Sequence, residues 1–217
     1  TKNNMIPKRI ILIYKTKNLD KFPEFYKTCY DRIVEFFDDY EICLYDDDEM
    51  DSLVKSFDSN LYENVYSKMD IIQKTDIFRL VALYVYGGTY IDLDVYLESN
   101  PKSCIEGCDK PVLLCVEKLS SPQPFDVYRS HKTNYVGLAN YFISSVPNNQ
   151  FIYECISYIL IINTNSKITI HDDLFNNFFK DDLVKVFFYT GNIGRSLAIN
   201  YVNIPTDMFE NRWNKAI

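Results

Sequence analysis

Apolar runs and helically spaced apolar residues alternate along the first part of the chain. Residues 10–14 form a continuous apolar run, which predicts a strand that is buried on both faces, as in a parallel sheet. Residues 23–38 carry apolar side chains at helical spacing, and residues 40–45 form a second strand-like run. This order of strand, helix and strand predicts the start of a Rossmann-like α/β layer.

The strongest helical pattern covers residues 70–86 and ends at two glycines. Its apolar side chains share one face of the predicted helix, at Ile77, Leu80, Val81, Tyr84 and Val85. Gly87 and Gly88 follow at once and predict a C-terminal cap. Residues 89–91 then begin another strand.

Weaker patterns complete the predicted order of elements. Helices are predicted near residues 49–57, 61–67, 149–163 and 172–180, and strands at 112–116, 136–144 and 184–189. Residues 118–134 form a polar loop with two prolines, which is long enough to suggest a function. Because no repeat and no linker interrupts this order, we expect a single domain over residues 1–217.

The composition is that of a folded domain with an acidic surface. Apolar residues make up 47% of the 217 residues, which is enough to bury a full core and excludes a disordered chain. The formal charge of −7 argues against a nucleic-acid partner, because such proteins follow phosphates with a basic face. The charge does not exclude one small nucleotide, since a metal ion can supply the positive charge.

The cysteines indicate a reducing compartment, and the lengths of the apolar segments indicate a chain that does not cross a membrane. Most of the six cysteines lie inside apolar runs, and Cys104 and Cys108 lack two further zinc ligands nearby, so reduced thiols are the favoured interpretation. No segment is long enough to span a bilayer, and the N-terminus shows no signal-peptide pattern. We therefore expect a soluble, cytoplasmic protein. The end at Ile217, without a polar tail, also fits one module of a longer protein.

The segment of residues 74–95 carries the candidate chemistry. Side chains alternate along a strand, so Asp92 and Asp94 are predicted to share one face, while the residues between and around them enter apolar packing. Two carboxylates at the C-terminal end of a strand form a hard-oxygen site for Mg²⁺ or Mn²⁺, at the edge where open α/β sheets bind ligands. Such an ion would stabilise a departing phosphate, which predicts a reaction with a phosphate leaving group.

Another interpretation of these two acids stays open. Asp-x-Asp arises often by chance and then marks only a solvated strand end. The acidic runs at 46–48, 172–173 and 181–182 lack the frame of helix, two glycines and strand, and are interpreted as loop or capping acids.

Asp76 and Arg79 are neighbours on the surface of the predicted helix, because they lie three residues apart. They could form a surface ion pair, which would stabilise the fold little. Alternatively, both face the same cleft as Asp94 and hold the hydroxyls of a sugar or ribose.

These residues closely resemble the motif of the DXD-containing glycosyltransferases grouped as family 32. The matching features are an Asp-x-x-Arg helix, a Tyr-x-Tyr-Gly-Gly stop and a strand that ends in Asp-x-Asp, all within residues 76–94. The Ile-Pro-Lys start at residues 6–8 and residues 137–143 match further parts of the pattern, and residues 188–192 match it more weakly. Similar small enzymes occur in large algal viruses, and the glucosylating domains of large clostridial toxins are more distant relatives.

The resemblance implies a GT-A type α/β fold, with a Rossmann-like, mixed and mostly parallel sheet flanked by helices. It also implies a sugar transferase that retains anomeric configuration and uses Mn²⁺ or Mg²⁺. The implied donor is a nucleoside diphosphate sugar, with a UDP-sugar favoured, that supplies a hexose or deoxyhexose to a glycan, glycoprotein or other hydroxyl acceptor. A viral origin would place the enzyme in the host cytoplasm.

The resemblance also assigns roles to individual residues. Asp94 is similar to the direct metal ligand, and Asp92 to the residue that touches the ribose or sugar and reaches the metal through water. Asp76 and Arg79 match contacts to the donor sugar and phosphate. The remaining matched positions are Tyr14, Lys15 and Thr16 at the base and ribose, and Asn140, Thr190 and Gly191 along the sugar and acceptor side.

The chain departs from the family pattern in two places. Asn192 replaces the usual proline after Thr190 and Gly191, and the late histidine that relatives often place near the metal has only His171 as a counterpart, which is interpreted as a helix-start residue. His131, in the polar loop, could contact an acceptor, but a surface residue is the favoured interpretation.

The chemistry leaves two competing functions. A metal-dependent phosphohydrolase or nuclease could use the same carboxylates, although a two-metal site needs three or more convergent acids. A glycosyltransferase-like module could instead hold a glycan without catalysis.

Tyr14 and Tyr90 flank the predicted site, where a ring could stack on a base or sugar.

Overall fold

The computed structural model describes residues 5–117, 137–164 and 209–211. Its strands, in chain order, are β1 (Arg9–Ile13), β2 (Glu41–Tyr45), β3 (Gly88–Ile91), β4 (Val95–Leu97), β5 (Val112–Glu117), β6 (Gly137–Ser145) and β7 (Phe209–Asn211). Its α-helices are α1 (Glu24–Phe36), α2 (Asp47–Phe57), α3 (Ser59–Asn64), α4 (Ile71–Tyr86), α5 (Lys102–Glu106) and α6 (Gln150–Thr164). Short 3₁₀ turns occur at Leu19–Lys21 and Tyr66–Lys68.

Five strands form one mixed sheet in the order β2-β1-β3-β6-β5. Strand β1 pairs in parallel with β2 and with β3, whereas β6 pairs antiparallel with β3 and with β5. Strands β4 and β7 form a separate antiparallel pair. The predicted α/β class, with a mixed sheet flanked by helices, is therefore confirmed.

Strand β1 separates two apolar cores, as its continuous apolar run predicts. Ile10 and Leu12 pack into one core with residues of α1, and Ile11 packs into the other with residues of α2, α4 and α6. All three side chains are fully buried. Side chains of a strand point alternately to opposite faces, so the carboxyl end of β1 emerges between two packed layers.

Capping explains where the helices begin. Asp46 and Asp70 each form a capping box, with Glu49 at α2 and Gln73 at α4, and each satisfies a free backbone N–H of the first turn. The acidic run at 46–48 is therefore a capping and helix-start segment, as predicted. The structure also contains β4 and the short helix α5, which the hydrophobic pattern did not predict.

The two glycines after α4 permit the tight passage into β3. Gly87 and Gly88 have φ values of 65° and 111°, a region that favours glycine. A Cβ on Gly88 would lie 2.6 Å from the backbone oxygen of Arg9. The close approach of β3 to β1 therefore depends on the missing side chain.

Several predicted features lie outside the described residues. They are the polar loop at 118–134, the helix near 172–180 and the strand at 184–189, together with His131, His171, Thr190, Gly191 and Asn192. Within the described ranges, no helix combines the length and the hydrophobicity that a membrane crossing requires.

Candidate active site

Asp92 and Asp94 lie in a turn at the end of β3 rather than on the strand itself. The N–H of Asp92 donates to the Tyr141 carbonyl at 2.9 Å, and the N–H of Val95 donates back to the Asp92 carbonyl at 3.1 Å. The prediction that both acids continue the strand is wrong, because this second hydrogen bond turns the chain away from the sheet.

Apolar neighbours fix this turn in the fold. Ile91, Leu93 and Val95 are buried in one apolar cluster, as the alternating pattern predicts. Asp94 is only 8% exposed, and the side chain of Asp92 is 17% exposed. The two carboxylates are therefore partly withdrawn from water, where their electrostatic interactions are stronger than at an open surface.

Arg79 projects from α4 into the same region and is not a surface residue. Its side chain is 6% exposed and lies 3.0 Å from Asp76 Oδ1 and 3.5 Å from Asp92 Oδ1. Its Nη1 also donates to the Asn140 backbone carbonyl at 2.5 Å. The interpretation of Asp76 and Arg79 as an exposed ion pair is therefore wrong, and both belong to the cluster around Asp92.

Asn140 joins this cluster from strand β6. Its side-chain amide donates to Asp76 Oδ1 at 3.2 Å, while its backbone carbonyl accepts from Arg79. A residue of β6 thus holds a carboxylate of α4 and the guanidinium that lies beside it. The structure brings together five of the predicted site residues: Asp76, Arg79, Asp92, Asp94 and Asn140.

Tyr90 lies beneath Arg79 and has a different role from the one its position in sequence suggests. It is 1% exposed, and the Arg79 guanidinium lies 4.6 Å from its ring centroid. Its hydroxyl donates a short hydrogen bond to Asp92 Oδ1. Because the ring is covered, the expectation that Tyr90 stacks on a base or sugar is wrong.

The charges of the cluster leave it with an excess of negative charge. The Arg79 guanidinium pairs with the carboxylates of Asp76 and Asp92, and the charge of a third carboxylate, Asp94, also acts on it. Burial and the neighbouring Asp92 carboxylate raise the pKa of Asp94 to about 6. Burial also raises the pKa of Asp76, although Arg79 opposes that change. Burial opposes the charge on Arg79, but the surrounding acids, Asp92 first, raise its pKa and keep it protonated.

This charge excess suits a divalent cation. Asp94 forms no ion pair within the part of the chain that the structure describes, whereas Asp92 uses Oδ1 for its contacts with Tyr90 and Arg79. Carboxylate oxygens are the ligands that Mg²⁺ and Mn²⁺ prefer. Among residues 5–117, 137–164 and 209–211, no group of three or more His, Cys, Asp and Glu is placed to hold a metal.

Tyr26, an aromatic residue that the motif pattern did not include, packs against the loop after β1 and feels the charges of the two acids. Tyr26, in the first turn of α1, packs against the predicted site residue Tyr14 at a ring distance of 5.4 Å. Burial raises the pKa of the Tyr26 hydroxyl, and the charges of Asp94 and Asp92 add to that effect. The available signal was topological, because the first turn of a crossover helix lies at the carboxyl edge of the preceding strand.

The other two predicted residues of this loop are Lys15 and Thr16. Lys15 is exposed, with its Nζ 6.0 Å from the ring centroid of Tyr14, and Thr16 accepts a hydrogen bond from the Asn18 N–H at 3.2 Å. No contact in the described ranges joins Lys15 or Thr16 to Asp92 or Asp94.

Comparison with known proteins supports the resemblance found in the sequence. Residues 23–110 match the family described as a glycosyltransferase sugar-binding region containing DXD motif. The match spans α1 to α5 and includes Asp76, Arg79, Asp92 and Asp94. The resemblance to DXD-containing glycosyltransferases is confirmed over these residues.

Curated relatives extend the similarity along the chain. Inositol phosphoceramide mannosyltransferase 2 of Schizosaccharomyces pombe is 28% identical over 166 residues, which cover 75% of this chain and 40% of that protein. Mannosyl phosphorylinositol ceramide synthase SUR1 of Saccharomyces cerevisiae is 26% identical over 155 residues, or 71% of this chain and 35% of that protein. The chain thus spans well under half the length of these relatives.

One solved structure, titled PaToxG Glycosyltransferase, shares 19% sequence identity with the chain at a TM-score of 0.45. The similarity covers 75% of this chain and 63% of that one.

Proposed function

We propose that this chain, which carries the DXD sugar-binding region over residues 23–110, is a metal-dependent glycosyltransferase. It moves a hexose or deoxyhexose from a nucleoside diphosphate sugar to a hydroxyl group of a glycan or other acceptor, with retention of configuration. One observation carries the proposal. Asp92 and Asp94 lie in a partly buried turn at the carboxyl edge of the sheet, beside the buried cluster of Asp76, Arg79 and Asn140.

Asp94 and Asp92 would hold the divalent ion, Mn²⁺ or Mg²⁺. When bound, such an ion acts as a Lewis acid that stabilises the negative charge of the departing diphosphate. Asp94 is proposed as the direct ligand, because its carboxylate forms no ion pair in the described ranges. Asp92 shares one oxygen with Tyr90 and Arg79 and keeps the other for water or donor hydroxyls.

The donor is proposed to lie between the loop after β1 and the acidic cluster. Tyr14 and Tyr26 offer aromatic surface on the base side, where a ring can stack on a nucleobase. Asp76 carries carboxylate oxygens that can accept hydrogen bonds from sugar hydroxyls, and Asn140 fixes its orientation. Fixed acceptors of this kind discriminate between sugars that differ in one hydroxyl.

The proposal also concerns which nucleotide and which sugar the donor contains. The family resemblance favours a UDP-sugar, whereas the names of the curated relatives describe mannosyl transfer. A donor panel therefore needs UDP-glucose, UDP-galactose and GDP-mannose, each with and without Mn²⁺. The single-domain organisation and the cytoplasmic location expected from the sequence stay predictions.

Isothermal titration calorimetry with this panel tests the proposal. We expect Mn²⁺-dependent binding of at least one nucleotide sugar, and a loss of more than about tenfold in affinity for Asp94→Asn, because a metal ligand is removed. Asp109→Asn is the matched control, since Asp109 is an exposed acid outside the cluster. The proposal fails if no nucleotide sugar binds in a Mn²⁺-dependent way, or if Asp94→Asn binds as the control does. Cleavage of phosphodiesters without any sugar transfer would favour a phosphohydrolase instead.

A further inference from the structure

Tyr90 is the buried residue through which β3 contacts the candidate metal site. Its ring is almost completely enclosed in the core between the two layers of the fold. Its hydroxyl reaches Asp92 Oδ1, and its ring lies 4.6 Å from the Arg79 guanidinium carbon. The Tyr90 side chain therefore contacts both Asp92, a proposed metal ligand, and the Arg79 guanidinium beside it.

Both described contacts of the Asp92 carboxylate go to the same oxygen. Tyr90 donates to Oδ1 through its hydroxyl, and Arg79 Nη1 lies 3.5 Å from that same Oδ1. A carboxylate that is held at one oxygen cannot turn freely about its last side-chain bond, so Oδ2 keeps a fixed direction. Hydrogen bonds from residues behind a metal ligand orient ligands in this way in many metal sites.

Tight packing around the buried ring holds the Tyr90 side chain in this position. A fully buried aromatic side chain sits in one rotamer, and its neighbours fill the space around it. The hydroxyl is the polar end of that ring, and it needs a partner when it is buried. Asp92, at the end of β3, supplies that partner.

We propose that Tyr90 is a positioning residue that orients the Asp92 carboxylate for the metal and the donor, an inference that rests on the function proposed above. In this role Tyr90 contacts neither the metal nor the donor and acts through Asp92. The sequence pattern alone suggested stacking on a ligand, and the buried ring replaces that role with an orienting one.

The experiment compares Tyr90→Phe with the wild-type chain. This substitution removes only the hydroxyl and keeps the ring under Arg79. We expect Mn²⁺ affinity, measured by titration monitored by electron paramagnetic resonance, to fall about 10- to 100-fold, as for other residues that orient metal ligands. Turnover at saturating donor should fall in parallel, while the melting temperature should report that both proteins are folded.

Tyr66→Phe is the matched control, because Tyr66 is also fully buried and also lies beneath a cation, the Lys74 ammonium at 5.1 Å from its ring centroid. It should leave Mn²⁺ affinity within about twofold of wild type, since its hydroxyl does not contact Asp92. An equal loss in both variants would mean a general effect of removing a buried hydroxyl and would overturn the proposal.

A double-mutant cycle shows whether Tyr90 acts through Asp92. On an Asp92→Ala background, Tyr90→Phe should have no further effect on Mn²⁺ affinity, because the group that it orients is gone. Additive losses would overturn the positioning role. Unchanged Mn²⁺ binding by Tyr90→Phe would overturn that role alone, whereas a wild-type chain that does not bind Mn²⁺, with or without a nucleotide, would overturn both the role and the proposed function.

Discussion

The side-chain amide of Asn140 donates a hydrogen bond to Asp76 Oδ1 at 3.2 Å and so joins two segments that are 64 residues apart in sequence. The backbone carbonyl of the same residue accepts from Arg79, which pairs with Asp76. Because buried carboxylates are costly when they lose hydrogen-bond partners, this contact should matter for both stability and binding.

Substitutions at Asn140 should distinguish these contributions. Asn140→Ala removes one hydrogen bond and should cost about 1 kcal/mol in the free energy of unfolding. Asn140→Asp has nearly the same size but places a further carboxylate beside Asp76, so it should be more destabilising and should lower turnover more. Urea unfolding and initial rates measure both effects. Equal behaviour of the two variants would mean that charge at this position is irrelevant.

The stability of the metal-free chain should depend on the ionisation of Asp94. Its pKa is raised to about 6 from an ordinary value of 3.8, so the folded state binds the proton more tightly than the unfolded state does. The stabilisation from that proton is complete below the unfolded pKa and is lost as the pH rises through about 6.

Asp94→Asn imitates the protonated acid and should therefore be more stable than wild type at neutral pH. The expected gain is roughly 1–3 kcal/mol near pH 7.5, falling towards zero near pH 4. Urea unfolding in the presence of a chelator, at several pH values, measures the difference. A gain that is the same at every pH would contradict the assignment, because a packing effect does not titrate.

Gly88→Ala should destabilise the fold strongly. Its φ of 111° is strained for alanine, and the new Cβ would lie 2.6 Å from the Arg9 backbone oxygen. We expect a loss of about 2–4 kcal/mol. Gly107→Ala is the comparison, since a Cβ there would also lie close to a backbone oxygen, 2.9 Å from that of Ser103, but Gly107 has an ordinary φ of −83°. Thermal unfolding should rank Gly88→Ala well below Gly107→Ala, and the reverse order would contradict this explanation.

The capping box at Asp70 supports the helix that carries Asp76 and Arg79. Asp70 accepts from the Gln73 N–H at 2.9 Å, so Asp70→Ala should lose about 1 kcal/mol of stability. Asp70→Asn keeps an oxygen that can cap the helix and should lose much less. Urea unfolding of the two variants separates the cap from the charge. If Asp70→Asn is as unstable as Asp70→Ala, the carboxylate charge and not the cap is responsible.

The sequence by itself determined the features that depend on near neighbours. The continuous run in β1, the helical spacing in α4 and the glycines after it each produce a local structure, because periodicity, capping and φ preferences act within a few residues. The block from Asp76 to Asp94 also predicted the candidate site, since three acids and one arginine in this pattern can be recognised in the sequence. The position of Asp92 and Asp94 in a turn could not be predicted from the sequence, because one backbone hydrogen bond decides it.

Only the tertiary structure decided how the site is assembled. The antiparallel register of β3 and β6 pairs Tyr90 with Ile143 and Ile91 with Phe142, and this register brings Asn140 to the end of β3. The packing of α4 on the same sheet buries Arg79 and covers the ring of Tyr90. Register and layer packing depend on contacts between distant segments, and their energies depend on burial, which no local pattern contains.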